Sequence, residues 1–152
     1  MSEAAAVAEP EAAWRIRRMQ PGDLHFVLDS WLRSHRPDHP NLKQQQFFTL
    51  FRPLVTKVLA KPETRVLVAC DPEDERHIVG WLAYTPPIDP IDRTTVHYAY
   101  VRSVYRGYGC GRALAEAVDM ARGFVAYTCP SKTALALAEK VGAERRELED
   151  FA

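Results

Sequence analysis

One stretch of the chain, residues 94–122, combines three sequence signals that together restrict the fold it can adopt. A run of β-branched and aromatic residues comes first, a glycine-bearing turn follows, and apolar residues at helical spacing complete the stretch. The turn contains Gly107, Gly109 and Gly111, whose missing Cβ atoms allow a sharp bend and close approach to a ligand. The first N–H groups of a helix lack intrahelical partners and lie at the positive end of its dipole. The stretch therefore predicts a strand, a turn and a helix N-terminus that can together bind a phosphate or pyrophosphate.

The same residues resemble the acyl-coenzyme A-binding signature of the Gcn5-related N-acetyltransferases (GNAT). That signature reads Gln or Arg, two residues, Gly, one residue, then Gly or Ala, and it is filled by Arg106, Gly109 and Gly111. A strand ending in Val-x-Pro-x-Tyr-Arg-Gly usually precedes it. Ser103 stands in place of the proline, and the other positions match: Val101, Tyr105, Arg106 and Gly107. The resemblance covers roughly residues 14–143 and implies that acetyl-coenzyme A is the cosubstrate.

Strand and helix patterns alternate along the rest of the chain. Strands are predicted at 14–18, 65–70, 77–85 and 124–129, and helices at 21–35, 41–61 and 130–142, with a charged turn at 71–76. Pro53 predicts a kink in the second helix or its division into two. Residues 1–13 have the composition of a disordered tail, which leaves 14–152 as one domain. Alternation predicts an α/β fold, and the resemblance implies a mixed, mostly antiparallel central sheet with a splayed strand pair and helices on both faces.

Charge and cysteine content exclude several classes of function. Twenty basic and twenty acidic residues give a formal charge of zero, which disfavours binding to nucleic acid unless arginines cluster on one face. The three cysteines show no metal-ligand spacing, so we expect no metal site and a reducing, cytoplasmic location. No apolar run reaches membrane-spanning length, so we expect no membrane partner.

The resemblance to the GNAT family implies a role for each residue near the turn. The pyrophosphate would bind backbone N–H groups of the turn, with two arginine side chains nearby as cations. The pantetheine arm would lie in a gap opened by a β-bulge between the fourth and fifth strands, where Val101 and Ser103 would offer backbone contacts. The implied coenzyme-binding residues are Val101, Ser103, Arg106, Gly107, Tyr108, Gly109, Cys110, Gly111 and Arg112.

The catalytic groups are less closely matched to the family. His97 occupies the place of the carboxylate base that family members often carry, and its alternative role is that of a hydrogen-bonded sheet histidine. Tyr98 is a further candidate for the catalytic site, although packing in the sheet is its commoner role. It would face away from His97 if strand pairing were regular, whereas a bulge would reverse the faces beyond it. The tyrosine that usually acts as general acid in the family aligns with Ala138. Ser131, Tyr127 or a water could replace it, or the thiolate could leave without help, and a helix N-cap is the simpler role of Ser131.

These observations lead to an acetyl-coenzyme A-dependent N-acyltransferase acting on a small-molecule or protein amine by direct attack on the thioester. Only residues 143–152 follow the last predicted helix, so the acceptor side is either minimal or completed by a second subunit, as in a homodimer. Two alternatives keep the fold: a degenerate acyl-coenzyme A-binding module, and a phage-type enzyme acting on nucleic acid bases. A nucleotide site on another α/β fold is disfavoured, because P-loop and dinucleotide-binding motifs are missing.

Overall fold

A six-stranded mixed sheet forms the centre of the computed structural model, which describes residues 14–89, 92–118, 125–128 and 144–152. The strands are β1 (Arg15–Arg18), β2 (Arg65–Asp71), β3 (Asp74–Thr85), β4 (Thr94–Val101), β5 (Val125–Tyr127) and β6 (Glu144–Arg145). The helices are α1 (Leu24–His35), α2 (Gln44–Ala60) and α3 (Cys110–Ala117). The predicted tail at 1–13 and the predicted helix at 130–142, with Ser131, lie outside the described residues.

Strands β1 to β6 follow one another across the sheet in chain order. The pairs β1–β2, β2–β3 and β3–β4 are antiparallel, whereas β4–β5 and β5–β6 are parallel. The prediction of a mixed, mostly antiparallel sheet is therefore confirmed. The turn between β2 and β3 is shorter than predicted, because Asp71 already pairs with Asp74 and the Asp71 carboxylate accepts a hydrogen bond from the Glu73 N–H.

Helices cover both faces of the sheet, as predicted. On one face, α1 and α2 pack with the sheet in a core where the ring of Trp31 stacks on Tyr98 with centroids 5.3 Å apart. On the other face, Cys110 and Leu114 of α3 pack against apolar residues of β2 and β3. Each helix is held by burial of one apolar stripe, which supplies most of the stability of a short helix in a protein.

Helix α2 continues through Pro53, so the alternative of two shorter helices is wrong. Buried residues lie on both sides of the proline, with Phe47 before it and Val55, Val58 and Leu59 after it. Packing of these side chains offsets the backbone hydrogen bond that proline cannot donate. None of the helices in the described ranges is long and apolar enough to cross a membrane.

A β-bulge lies in the middle of β4. Ala83 pairs with Tyr98 and Tyr84 pairs with Val96, so His97 has no residue opposite it in β3. The extra residue reverses the alternation of side chains beyond it. His97 and Tyr98 consequently lie on the same face, toward α1 and α2, rather than on opposite faces as regular pairing would place them.

The C-terminal segment is fastened to the start of β4 by Arg146. Its guanidinium donates hydrogen bonds to the Asp92 carboxylate at 2.9 Å, the Thr95 hydroxyl at 2.8 Å and the Glu144 carboxylate at 2.7 Å. Such charge-assisted contacts fix geometry better than isolated surface ion pairs. The segment that follows, including the single helical turn Leu148–Phe151, is thereby held against the end of the sheet.

Candidate active site

The turn after β4 has the backbone conformation that its glycines suggest. Gly107 and Gly109 have φ angles of 88° and 83°, in the left-handed region that other residues rarely adopt. A Cβ atom built at either position meets no atom within 4 Å. Backbone conformation therefore requires these glycines, and the space beside them is open to a ligand.

Helix α3 begins directly after this turn, with Gly109 as its N-cap. The first helical hydrogen bond runs from the Ala113 N–H to the Gly109 carbonyl at 2.9 Å, so the N–H groups of Cys110 to Arg112 precede any intrahelical acceptor. Burial raises the pKa of the Cys110 thiol to about 11. Cys110 therefore offers the site a backbone N–H rather than a thiolate. Open glycines beside free N–H groups fit a pyrophosphate, which is the anionic part of coenzyme A.

The cationic and aromatic side chains of the turn lie at the surface. Arg106 Nε donates to the Val101 carbonyl at 2.9 Å, and exposed Arg112 pairs with Glu116 one helical turn away at 3.3 Å. The Tyr108 carbonyl accepts a hydrogen bond from Trp14 Nε1 at 3.2 Å, which ties the turn to the residue before β1. The structure thus brings the sequence-predicted coenzyme residues together around one turn.

Gly80 of β3 allows helix α3 to pack closely against the sheet. A Cβ atom at this position would lie 2.7 Å from the Tyr100 carbonyl oxygen and 3.0 Å from Cys110 Sγ. The first distance, to a backbone atom, is one that Cβ atoms essentially never show, and the second is tighter than most Cβ contacts. Glycine therefore lets β3, β4 and the first residue of α3 approach this closely. This contact holds the first residue of α3 against the sheet, and with it the glycine turn that precedes the helix.

Beyond Val96, none of the described residues pairs with the side of β4 that faces β5. The Arg102 N–H donates to the Val79 carbonyl of β3 at 2.8 Å, so the neighbouring N–H of Val101 points away from β3. On that other side, described pairing with β5 stops where the Thr128 N–H donates to the Val96 carbonyl at 3.1 Å. Strand β4 continues five residues beyond this point, to Val101. Exposed Ser103 follows in a single helical turn.

A cavity of about 460 Å³ lies between α2, the C-terminal segment and the residue after β5. Its walls include Phe51 and Leu54 of α2 and the carboxylates of Glu147 and Glu149. Thr128, the residue at which described β4–β5 pairing stops, also lines it. The cavity also reaches His35 and His39. It therefore extends from Thr128, at the end of the described β4–β5 pairing, to a pair of histidines that lie outside the glycine turn.

His97 is enclosed between two threonines. Its Nε2 atom lies 2.7 Å from the Thr85 hydroxyl and its Nδ1 atom 3.0 Å from the Thr128 hydroxyl, and its side chain is almost fully buried. Burial lowers the pKa of His97 to about 4, so the ring is neutral at pH 7. These contacts are those of the alternative role, a hydrogen-bonded sheet histidine, and the catalytic role of His97 stays a prediction.

The buried state of His97 gives a testable dependence of stability on pH. Because its pKa is about 4 when folded and 6.5 when unfolded, the stability this residue contributes is complete above pH 6.5 and is lost as the pH falls toward 4. By linkage the free energy of unfolding should drop by about 2 kcal/mol between pH 7.5 and 5 through this residue alone. Urea unfolding of wild type and His97→Gln at both pH values should show a flatter response in the variant. Parallel curves would contradict the assignment.

Sequence reasoning missed a second group of titratable side chains. His35 Nδ1 lies 2.9 Å from the Asp38 carboxylate, and His35 Nε2 lies 3.1 Å from His39 Nε2. Burial lowers the pKa of His35, and the hydrogen bond to Asp38 opposes that shift. The available signal was a histidine on the apolar face of a helix with polar partners three and four residues later. Within the described ranges, no three His, Cys, Asp or Glu side chains are arranged to hold a metal ion.

The sequence matches one family model. That model, of the acetyltransferase (GNAT) family, matches residues 28–143. A comparison with curated proteins gives no match.

Solved structures share the fold at low sequence identity. A histone acetyltransferase HPA2-related acetyltransferase from Corynebacterium glutamicum has a TM-score of 0.62 at 18% identity, covering 86% of this chain and 84% of that one. A putative acetyl transferase from Pyrococcus furiosus has a TM-score of 0.59 at 14% identity, with 88% and 94% covered. An aminoglycoside acetyltransferase from an uncultured soil metagenomic sample, in complex with sisomicin, has a TM-score of 0.53 at 20% identity, with 86% and 88% covered. At these identities the similarity shows the fold alone.

Proposed function

The chain belongs to the acetyltransferase (GNAT) family, and we propose that it is an acetyl-coenzyme A-dependent N-acyltransferase that moves an acetyl group to an amine by direct attack on the thioester. The observation that carries this proposal is the glycine turn after β4, with Gly107 and Gly109 at positive φ beside free helix N–H groups. When bound, acetyl-coenzyme A supplies the activated acetyl group. The protein contributes binding, orientation and stabilisation of charge.

The backbone of β4 is suited to polarise the thioester carbonyl. The Val101 N–H points toward the edge where described pairing with β5 has ended, so a carbonyl oxygen can accept its hydrogen bond there. A backbone donor held in a sheet needs no reorganisation when negative charge develops on that oxygen. Arg106 Nε, bound to the Val101 carbonyl, holds the same segment in place. The turn from Gly107 to Arg112 would bind the pyrophosphate.

The cavity beside Thr128 is suited to the acceptor. Its α2 wall is apolar and includes Phe51, whereas its C-terminal wall carries two carboxylates, Glu147 and Glu149, and one cation, Arg145. An apolar wall binds a hydrocarbon stem, and carboxylates attract an ammonium group. We therefore assign the acceptor to the class of primary amines on an aromatic or alkyl stem. The anchoring of Arg146 keeps the carboxylate-bearing segment in place.

Binding of the coenzyme is the first test. Thermal unfolding of the whole protein with acetyl-coenzyme A, coenzyme A or ATP should show stabilisation by both coenzymes. At 100 times the dissociation constant, the expected gain is about 2.7 kcal/mol. Stabilisation by ATP without a response to either coenzyme would contradict the proposal.

Thiol release is the second test, because it separates transfer from binding alone. With acetyl-coenzyme A and a panel of amines, release of free thiol should depend on the amine and should be accompanied by its acetylation. Aromatic and alkyl primary amines should react faster than amino acids, whose carboxylate would face Glu147 and Glu149. Coenzyme binding without turnover on any amine would favour an acyl-coenzyme A-binding module instead.

A further inference from the structure

We propose that His39 is the general base of the acetyl transfer and that His35 and Asp38 position it, an inference that rests on the proposed function. The three side chains form a chain of contacts at the C-terminal end of α1, and both histidines line the cavity. His39 is half-buried, whereas His35 is only 2% exposed. A substrate in the cavity can therefore reach His39.

The contacts determine which nitrogen of each ring carries a proton. The Asp38 carboxylate can only accept, so His35 Nδ1 donates to it. Neutral His35 has one ring proton, so its Nε2 atom accepts and His39 Nε2 donates. Neutral His39 then has its lone pair on Nδ1, for which the described part of the chain provides no hydrogen-bond partner. His39 Nδ1 is thus the atom available to take a proton.

The position of the His39 ring is fixed by packing and by its backbone. Its ring centroid lies 4.6 Å from that of Phe51 and 5.8 Å from that of Phe47. The His39 N–H donates to the Arg36 carbonyl, and an Arg36 side-chain N–H donates to the His39 carbonyl, both at 3.1 Å. A general base needs this fixed placement, because proton transfer requires hydrogen-bond distance to the substrate.

The charged groups around His39 favour taking a proton from a cation. From its own segment it contacts His35 and Arg36, while the α2 residues that line the cavity are apolar or aromatic. Across the cavity, the C-terminal segment presents Arg145, Glu147 and Glu149. The carboxylates of Glu147 and Glu149 attract an incoming ammonium group, and Arg145 of the same segment opposes them.

Acetylation removes two protons from the ammonium nitrogen. The ammonium group loses one proton to His39 Nδ1, and the freed amine attacks the thioester carbon. As the N–C bond forms and the C–S bond breaks, the nitrogen loses its second proton, which ends on the coenzyme sulfur. His39 returns its proton to water through the open side of the cavity. His97 cannot replace it in this step without releasing a threonine, because both of its ring nitrogens are engaged.

The test compares two acceptors of nearly the same shape. Phenethylamine is protonated at pH 7, whereas O-benzylhydroxylamine is neutral and needs no proton removed before attack. His39→Gln keeps a donor toward His35 Nε2 but has no basic nitrogen. With acetyl-coenzyme A, it should lower kcat for phenethylamine about 100-fold and affect O-benzylhydroxylamine far less. Affinity for coenzyme A should stay unchanged.

The matched control is His25→Gln, which makes the same change at an exposed position of α1. It should alter neither rate. Equal losses on both acceptors in His39→Gln, or no loss on either, would overturn the role of His39 alone. Wild-type protein that binds acetyl-coenzyme A but acetylates neither amine would overturn the acceptor class and this inference with it. Wild-type protein that does not bind acetyl-coenzyme A would overturn the proposed function itself.

Two further readouts depend on the positioning residues. In Asp38→Asn the side-chain amide can donate as well as accept toward His35 Nδ1, so the proton positions of the two rings are no longer fixed, and kcat for phenethylamine should fall more than kcat for O-benzylhydroxylamine. A merely structural role of Asp38 would lower both rates equally. In the nitrogen NMR spectrum of the 15N-labelled wild-type protein, neutral His39 should carry its proton on Nε2. A proton on Nδ1 would overturn the proposal without any activity measurement.

Discussion

Replacing Gly80 with valine should lower the free energy of unfolding by about 4 kcal/mol, above the usual range for overpacking. The added Cβ would lie 2.7 Å from the Tyr100 carbonyl oxygen, a backbone atom that cannot rotate away. The two methyl groups would enlarge the clash toward Cys110 Sγ, already 3.0 Å from that Cβ. Helix α3 must then move off the sheet, and the glycine turn that precedes it must move as well.

Urea unfolding measures this loss, and Gly22→Val is the matched control. A Cβ at Gly22 meets no atom within 4 Å, so this variant should differ from wild type by less than about 1 kcal/mol. Affinity for coenzyme A should fall in Gly80→Val, because the turn loses its support from β3. A Gly80→Val protein as stable as the control would show that β3 and α3 are not in contact at this position.

Replacing Gly107 and Gly109 together with alanine should reduce affinity for coenzyme A more than 100-fold. Each alanine would cost roughly 1–2 kcal/mol to hold at positive φ, so the pair would cost about 3 kcal/mol in the conformation that directs the N–H groups outward. Because nothing lies within 4 Å of either new Cβ, the exposed turn can relax out of this conformation. Coenzyme binding would then have to restore it.

Isothermal titration with coenzyme A measures the effect, and Gly22→Ala is again the control. Gly22 lies in an exposed turn outside the left-handed region, so its replacement should leave the affinity unchanged. Wild-type affinity in the double variant would remove the turn from the binding site. If the double variant were less stable to heat but bound coenzyme A as tightly as wild type, the strain would affect folding and not binding.

The strand, glycine turn and helix around residue 107 could be predicted because every signal in this stretch is local. Glycine at a left-handed position, an N-cap and the apolar stripe of α3 all depend on residues close in sequence. The strands at 14–18, 65–70 and 77–85 and the charged turn between the last two could be predicted for the same reason. Gly80 lies within one of these predicted strands, but glycine is required there by Tyr100 and Cys110, which are distant in sequence.

The resemblance implied a bulge in the fourth strand, but its position at His97 could not be predicted, because that position depends on the register between β3 and β4. The alternating sequence around His97 is the same whether or not a residue of β3 lies opposite it. Only the pairing of Ala83 with Tyr98 reveals the extra residue. The contacts of His35 with Asp38 and His39 were hidden for a different reason. Two prolines made residues 36–40 read as an irregular loop, whereas the structure folds three of them into a helical turn that continues α1.

The bulge also decides which side chains of β4 face α3. Before it, Val96 faces α3; after it, Val101 does, although five positions separate the two and regular alternation would put them on opposite sides. Removing the extra residue at His97 would leave Val96 and Tyr98 in regular alternation, with Tyr98 and Tyr100 still facing α1. Removing a second residue there would exchange every later side chain between the two faces. The bulge therefore lets β4 lose one residue, but not two, without turning its later side chains to the other face.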